Sequence, residues 1–424
     1  MRAGRPRPQA TAGWGEGPDE WASLRLTAVK RGQDLIAFAV IGTVMAGLLL
    51  STRPIPVVRP VAPASPPVWV SPVPVSASVP ELGSLQEDIG SVLVVSWRGP
   101  EISPGVRSLL DDGRVGGVLL YSSNFADPAG LKALTDSLQA LASSACVDHP
   151  ILVMLDQEGG QVARVQADFT PASELAVGAG GAEHVRAVER ASGAGLHQLG
   201  VGLNLAPVAD VRTNPYDRVI LDRSFGSSPA RVAPLVGAAV QGLHDGGVGA
   251  TLKHFPGLGG AAGDPHFAIP TDPESEAQWE SVQMPAFAAG IAAGADAVMT
   301  TAVYVPGLGG GSVPAMFSAP VVGRLRTQLG FGGVIVSDAL NMGGVVDRYS
   351  LPEATVLALA AGNDMVLLGS ADPASEADAM AAVRAAVLSG RLDRASLHES
   401  AIRVNRLRDR WGRRFTHCRP VMGA

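Results

Sequence analysis

Between residues 82 and 415 the chain alternates short apolar runs, rich in β-branched residues, with longer stretches rich in Ala and Leu. The apolar runs fall at 91–97, 116–122, 151–156, 202–208, 249–254, 295–303, 333–338 and 364–369. Each is apolar at successive positions, so both faces of the strand it predicts need cover, as in a parallel sheet lined by helices. The intervening stretches, such as 128–143, 182–199, 230–245, 274–293 and 320–329, are amphipathic and read as helices. Eight strand-then-helix repeats predict an α/β fold, a (β/α)8 barrel, with a doubly wound open sheet as the alternative.

The first 81 residues follow a different pattern. Residues 1–34 are rich in Pro and Gly and carry Arg2, Arg5, Arg7, Arg25, Lys30 and Arg31, so a flexible tail is expected. An uninterrupted run of apolar or small residues occupies 35–50, and Ser51 and Thr52 extend it. At about 1.5 Å per residue it is slightly short for a hydrocarbon core of about 30 Å. Residues 35–52 are therefore expected to act as a membrane anchor, with a cleaved signal segment as the alternative. Basic residues before the run place the N-terminus in the cytoplasm and everything after Arg53 outside the cell membrane. Repeated prolines across 53–81 predict an extended linker, leaving 82–415 as the barrel domain and 416–424 as a tail.

Composition narrows the function classes. With 424 residues, 46% of them hydrophobic and 17% charged, the chain can bury a large core. A net charge of −6 offers no basic field for nucleic acid. Two cysteines, Cys146 and Cys418, exclude a disulfide-rich scaffold and a multi-cysteine metal site. A monomer is expected.

In a barrel of this kind, chemistry gathers at the C-terminal ends of strands. The third apolar run ends in Asp156-Gln157-Glu158-Gly159-Gly160, the fifth in Lys253-His254, and the seventh in Ser337-Asp338-Ala339-Leu340-Asn341-Met342. Charged side chains after one apolar run can be plain strand-end solvation; three together, with a Gly-rich loop leading to Asp264-Pro265-His266, predict a site. An Asp two positions from a His can fix one imidazole tautomer and make that His a proton shuttle. By contrast, His184, His197, His244 and His398 fall in predicted helices and read as structural.

Taken together, Asp156-Gln157-Glu158-Gly159-Gly160-Gln161-Val162-Ala163-Arg164, Asp222-Arg223-Ser224-Phe225-Gly226, Lys253-His254-Phe255-Pro256-Gly257, Asp264-Pro265-His266 and the Gly333 to Met342 stretch resemble the family 3 glycoside hydrolases, in the β-N-acetylglucosaminidase branch. The resemblance spans roughly residues 85–412 and implies a retaining exo-glycosidase needing no metal or cofactor. It implies Asp338 as nucleophile, His266 as acid/base and Asp264 as its partner. Asp156, Arg164, Arg223, Lys253 and His254 match residues that hold the sugar. With the expected anchor, it implies β-N-acetylglucosaminides of the muropeptide type, from peptidoglycan, as substrate. A phosphorylase or β-glucosidase of the same family, or a degenerate wall-binding protein, are the other readings.

Three positions depart from the family pattern. Leu258 stands where a second His usually follows Phe-Pro-Gly, and Ala302 where a His usually follows the sixth strand. Pro265 replaces the usual Ser within the dyad and biases Asp264 towards extended backbone, which either stiffens the dyad or misaims it.

Overall fold

The computed structural model describes residues 84–112, 114–145, 148–369 and 373–413. The tail, the expected anchor, the Pro-rich linker and both cysteines lie outside the described residues. Among the described residues, no helix is long and apolar enough to cross a membrane.

Eight parallel strands form the sheet: β1 (Leu93–Val95), β2 (Gly117–Leu119), β3 (Leu152–Leu155), β4 (Leu203–Asn204), β5 (Gly249–Phe255), β6 (Ala297–Thr300), β7 (Val334–Ser337) and β8 (Val366–Leu367). They pair in chain order, β8 also pairs with β1, and a parallel bridge between Val336 and Met365 joins β7 to the start of β8. The sheet therefore closes on itself as the predicted (β/α)8 barrel.

Alternation along the strands divides the core. In β1, Leu93 and Val95 point outward into a cluster shared with the covering helices, while Val94 joins Met154, Leu203, Met299, Val336 and Leu367 in another. The helix Arg394–Trp411 lies at the end where the strands begin. Trp411 donates to Asp296 at 2.8 Å, and a β-carbon at Gly249 would lie 2.8 Å from its ring. That end is plugged, so side chains at the opposite rim are the ones that can meet a substrate.

Two elements differ from their sequence expectation for local reasons. The run 202–208 forms a ladder only over Leu203–Asn204, with an isolated bridge from Val208 to Lys253, because Pro207 has no N–H to donate. The stretch 274–293 is two helices, Glu276–Val282 and Met284–Ala292, separated at Gln283. Pro285 cannot donate to the preceding turn, and the Gln283 side chain instead brackets Val211 through its N–H at 2.9 Å and its carbonyl at 3.0 Å. His244 and His398 are structural as expected, paired with Asp296 and Asp88.

Candidate active site

The rim is organised around a buried ion network. Asp156 immediately follows β3, and the chain then makes a tight hairpin, Gln157–Gly159 against Val162–Ala163, that returns Arg164 towards it. Gly159 at φ +97° makes that turn possible, and a β-carbon there would lie 2.2 Å from the Ala172 carbonyl. Asp156 accepts from Lys253 Nζ at 2.7 Å and from Arg164 at 3.2 Å. Lys253, at the end of β5, also reaches Glu158 at 2.6 Å. Arg223, closing the short helix Leu221–Arg223, grips both oxygens of Glu158 at 2.7 and 2.8 Å.

These charges are mutually compensating, which is what allows them to be buried. Burial works to raise the Asp156 carboxyl, but the Lys253 and Arg164 charges outweigh it and hold it well below the usual carboxylate range. For Glu158 the same contest, burial against Arg223 and Lys253, leaves the group at about 2. Arg223 and Lys253 are both held above their ordinary values: burial opposes the charge, and the surrounding carboxylates overcome it. Lys253 is 2% exposed, whereas Asp156 and Arg164 each keep 17% of their side chains accessible and so present the network to the cleft.

His254 extends the network. Its Nδ1 lies 2.7 Å from Asp210, and its Nε2 lies 3.2 Å from Arg223 Nη2. With Nδ1–H donating to the carboxylate, Nε2 is left to accept from the guanidinium.

Asp338 follows β7 and is held differently. One oxygen accepts from Thr301 Oγ1 at 2.7 Å and the other from the Ala339 amide at 2.8 Å, while the Asp338 amide donates to the Thr300 carbonyl at 2.7 Å. A hydroxyl and an amide fix this half-buried carboxylate without a cation at either contact. An oriented carboxylate with accessible surface is suited to attack an electrophilic carbon.

Asp264 and His266 come together as expected. Asp264 Oδ1 lies 2.7 Å from His266 Nδ1 and accepts from the His266 amide at 2.9 Å. Burial tends to raise the Asp264 carboxyl, but the hydrogen bond and charge of His266 prevail and hold it below its ordinary value. An ionised Asp264 can only accept, so Nδ1 carries hydrogen and any proton exchange by this imidazole falls to Nε2. Pro265 has not misaimed the pair. The imidazole is 41% exposed, and the backbone of its loop docks beside the segment after Asp338 through Gly344 N–H to Pro265 O at 3.1 Å.

Leu258 and Ala302 are both buried in apolar clusters, so the departures from the family pattern are absorbed as packing. Glu158 lay in a flagged motif without an assigned role, and Asp210, Thr301 and Tyr121 were not singled out as parts of the site. Asp210 shares the signal that flagged the others, a carboxylate at the end of an apolar run. Tyr121, two residues beyond β2, has its ring 5.8 Å from the Arg164 guanidinium; burial first, then Asp156, pushes its hydroxyl up to about 12.

Comparison with known proteins identifies the family. Residues 84–407 match the model of the glycosyl hydrolase family 3 N-terminal domain. A beta-hexosaminidase of Alkalilimnicola ehrlichii is 36% identical over 65% of this chain and 80% of its own length. Among solved structures, a glycoside hydrolase family 3 beta-N-acetylglucosaminidase from Paenibacillus is similar at 35% identity and a TM-score of 0.74, over 78% of this chain but only 64% of that one. A beta-N-acetylhexosaminidase from Beutenbergia cavernae is similar at 33% identity and a TM-score of 0.70, over 76% of this chain and 97% of that one. The chain belongs to glycosyl hydrolase family 3 and is a glycoside hydrolase.

Proposed function

We propose that this hydrolase removes terminal β-linked N-acetylglucosamine with retention of configuration. Asp338 attacks the anomeric carbon as the bond to the leaving oxygen breaks, and protonated His266 gives that oxygen its Nε2 proton. A glycosyl ester on Asp338 results. Neutral His266 then takes a proton from water through Nε2, the hydroxide attacks the same carbon, and the Asp338 carboxylate leaves. Asp264 stabilises the imidazolium at the first step and keeps the tautomer throughout. Asp156 and Arg164 meet sugar hydroxyls, with Lys253, Arg223 and His254 fixing the cleft around the N-acetylated ring.

The observation that carries this reading is the 2.7 Å pairing of Asp264 with His266 Nδ1, on a loop seated beside the segment that follows Asp338. The names borne by the relatives supply the sugar. The basic residues and apolar run before residue 53 support a membrane-anchored domain outside the cell, and hence muropeptide-type fragments of peptidoglycan as the source.

The test is turnover of a chromogenic N-acetyl-β-glucosaminide beside the matching β-glucoside, each with and without phosphate. Preference for the N-acetyl sugar, at a rate indifferent to phosphate, is expected. Preference for the glucoside, or release of a sugar 1-phosphate, would replace the substrate or the acceptor in this account.

A further inference from the structure

Two adjacent glycines, Gly343 and Gly344, open the short helix Gly343–Val346 that follows the Asp338 segment. Neither has the positive φ that would itself require glycine. In helical backbone Ala is the better residue, so glycine gives up helix stability here. What it permits is close approach. A β-carbon at Gly343 would lie 2.3 Å from the His266 carbonyl oxygen. One at Gly344 would lie 2.6 Å from the Ile269 amide nitrogen and 2.8 Å from the Pro265 carbonyl oxygen, the group that accepts from the Gly344 amide at 3.1 Å. The backbone on both sides of His266 therefore rests on a surface made without side chains.

We propose that Gly343 and Gly344 are positioning residues for the acid/base, a seat that sets His266 at its working distance from the Asp338 segment. The inference rests on the assignment of His266 made above. A methyl group on either glycine leaves helical backbone undisturbed and acts by lifting the loop. Such a lift moves the imidazole while leaving Asp338, Thr301 and the ion network in place.

General acid help matters most when the leaving group is poor, and this separates a lifted imidazole from a damaged fold. The comparison uses the full chain as wild type, His266→Ala, Gly343→Ala and Gly323→Ala, the last a helix position with open space around it. Each is assayed on N-acetyl-β-glucosaminides with an activated aryl and an unactivated alkyl leaving group, with and without azide. His266→Ala is expected to lose on the order of 10²-fold or more in kcat/KM on the alkyl substrate and far less on the aryl one. Azide, which attacks the glycosyl ester without needing a base and forms the glycosyl azide, should restore its aryl turnover.

Gly343→Ala should show the same selectivity and the same rescue in milder form, with Gly323→Ala unchanged. Equal losses on both substrates without rescue, or wild-type rates, would overturn the seat. If His266→Ala itself shows no leaving-group dependence, the acid/base assignment fails first and the seat falls with it. Gly344→Ala repeats the comparison should Gly343→Ala not fold.

Discussion

Asp210 Oδ2 lies 2.7 Å from His254 Nδ1, and the other oxygen of the same carboxylate accepts from the Leu258 amide at 2.6 Å. One fully buried side chain thus aims an imidazole and pins the start of the loop that leads to Asp264 and His266. Through His254 Nε2 it also orients Arg223, which grips Glu158.

Replacing Asp210 with Asn keeps the volume but offers an amide N–H to one of the donors now satisfied by oxygen. Hydrogen bonds to charged groups are each worth about 1.5–3 kcal/mol, so kcat/KM on the N-acetyl substrate should fall roughly 10- to 100-fold, with a lower melting temperature. Steady-state kinetics and a thermal melt check this. A kcat/KM within threefold of wild type would show that His254 keeps its orientation without the carboxylate.

Thr301 supplies the hydroxyl that holds one oxygen of Asp338 at 2.7 Å. Thr301→Val preserves the shape and removes the donor, so the carboxylate loses half its orientation. The expected loss is about tenfold in kcat with little change in KM, because the hydroxyl touches the proposed nucleophile and not the sugar. A rise in KM at unchanged kcat would instead place Thr301 among the groups that bind substrate.

How much of this was legible in the sequence differs between fold and site. The eight apolar runs predicted eight strands because fully covered parallel strands must be apolar on both faces. The apolar pattern alone did not show the ladder interrupted at Pro207 or the helix divided at Pro285, although both prolines stand in the sequence. In the site, Asp156, Lys253, His254 and Asp338 stood out as polar side chains ending apolar runs. Their partners did not. Asp210 and His254 are 44 residues apart, and Thr301 and Asp338 are 37 apart, so each pairing exists only once barrel closure brings neighbouring strand ends together. A lone Thr or Asp after a strand carries no trace of which group it will meet.

Glu189 offers a stability prediction away from the cleft. It is 4% exposed in the helix Ala182–Gln198, its Oε2 meets no hydrogen-bond partner among the described residues, and burial pushes its carboxyl up to about 8. A carboxyl raised in the folded state favours folding below its unfolded value near 4.5 and loses that contribution as pH climbs towards 8. Between pH 5 and 7.5 the loss is on the order of 3 kcal/mol. Glu189→Gln should flatten the decline in melting temperature over this window. Glu174 and Asp272 are also pushed up by burial, so the slope shrinks without vanishing. An unchanged slope would mean that Glu189 is ionised in the folded protein at neutral pH.

In the proposed mechanism the Asp338 carboxylate bonds to the anomeric carbon of the sugar in a covalent intermediate. A fluorinated N-acetylglucosaminyl fluoride, which forms the glycosyl ester quickly and releases it slowly, should trap that intermediate for mapping by peptide mass spectrometry. One fluorinated N-acetylglucosaminyl group per chain is expected, carried on Asp338 and absent from Asp338→Ala. A label on Asp156 or another carboxylate, or turnover that continues in Asp338→Ala, would contradict it.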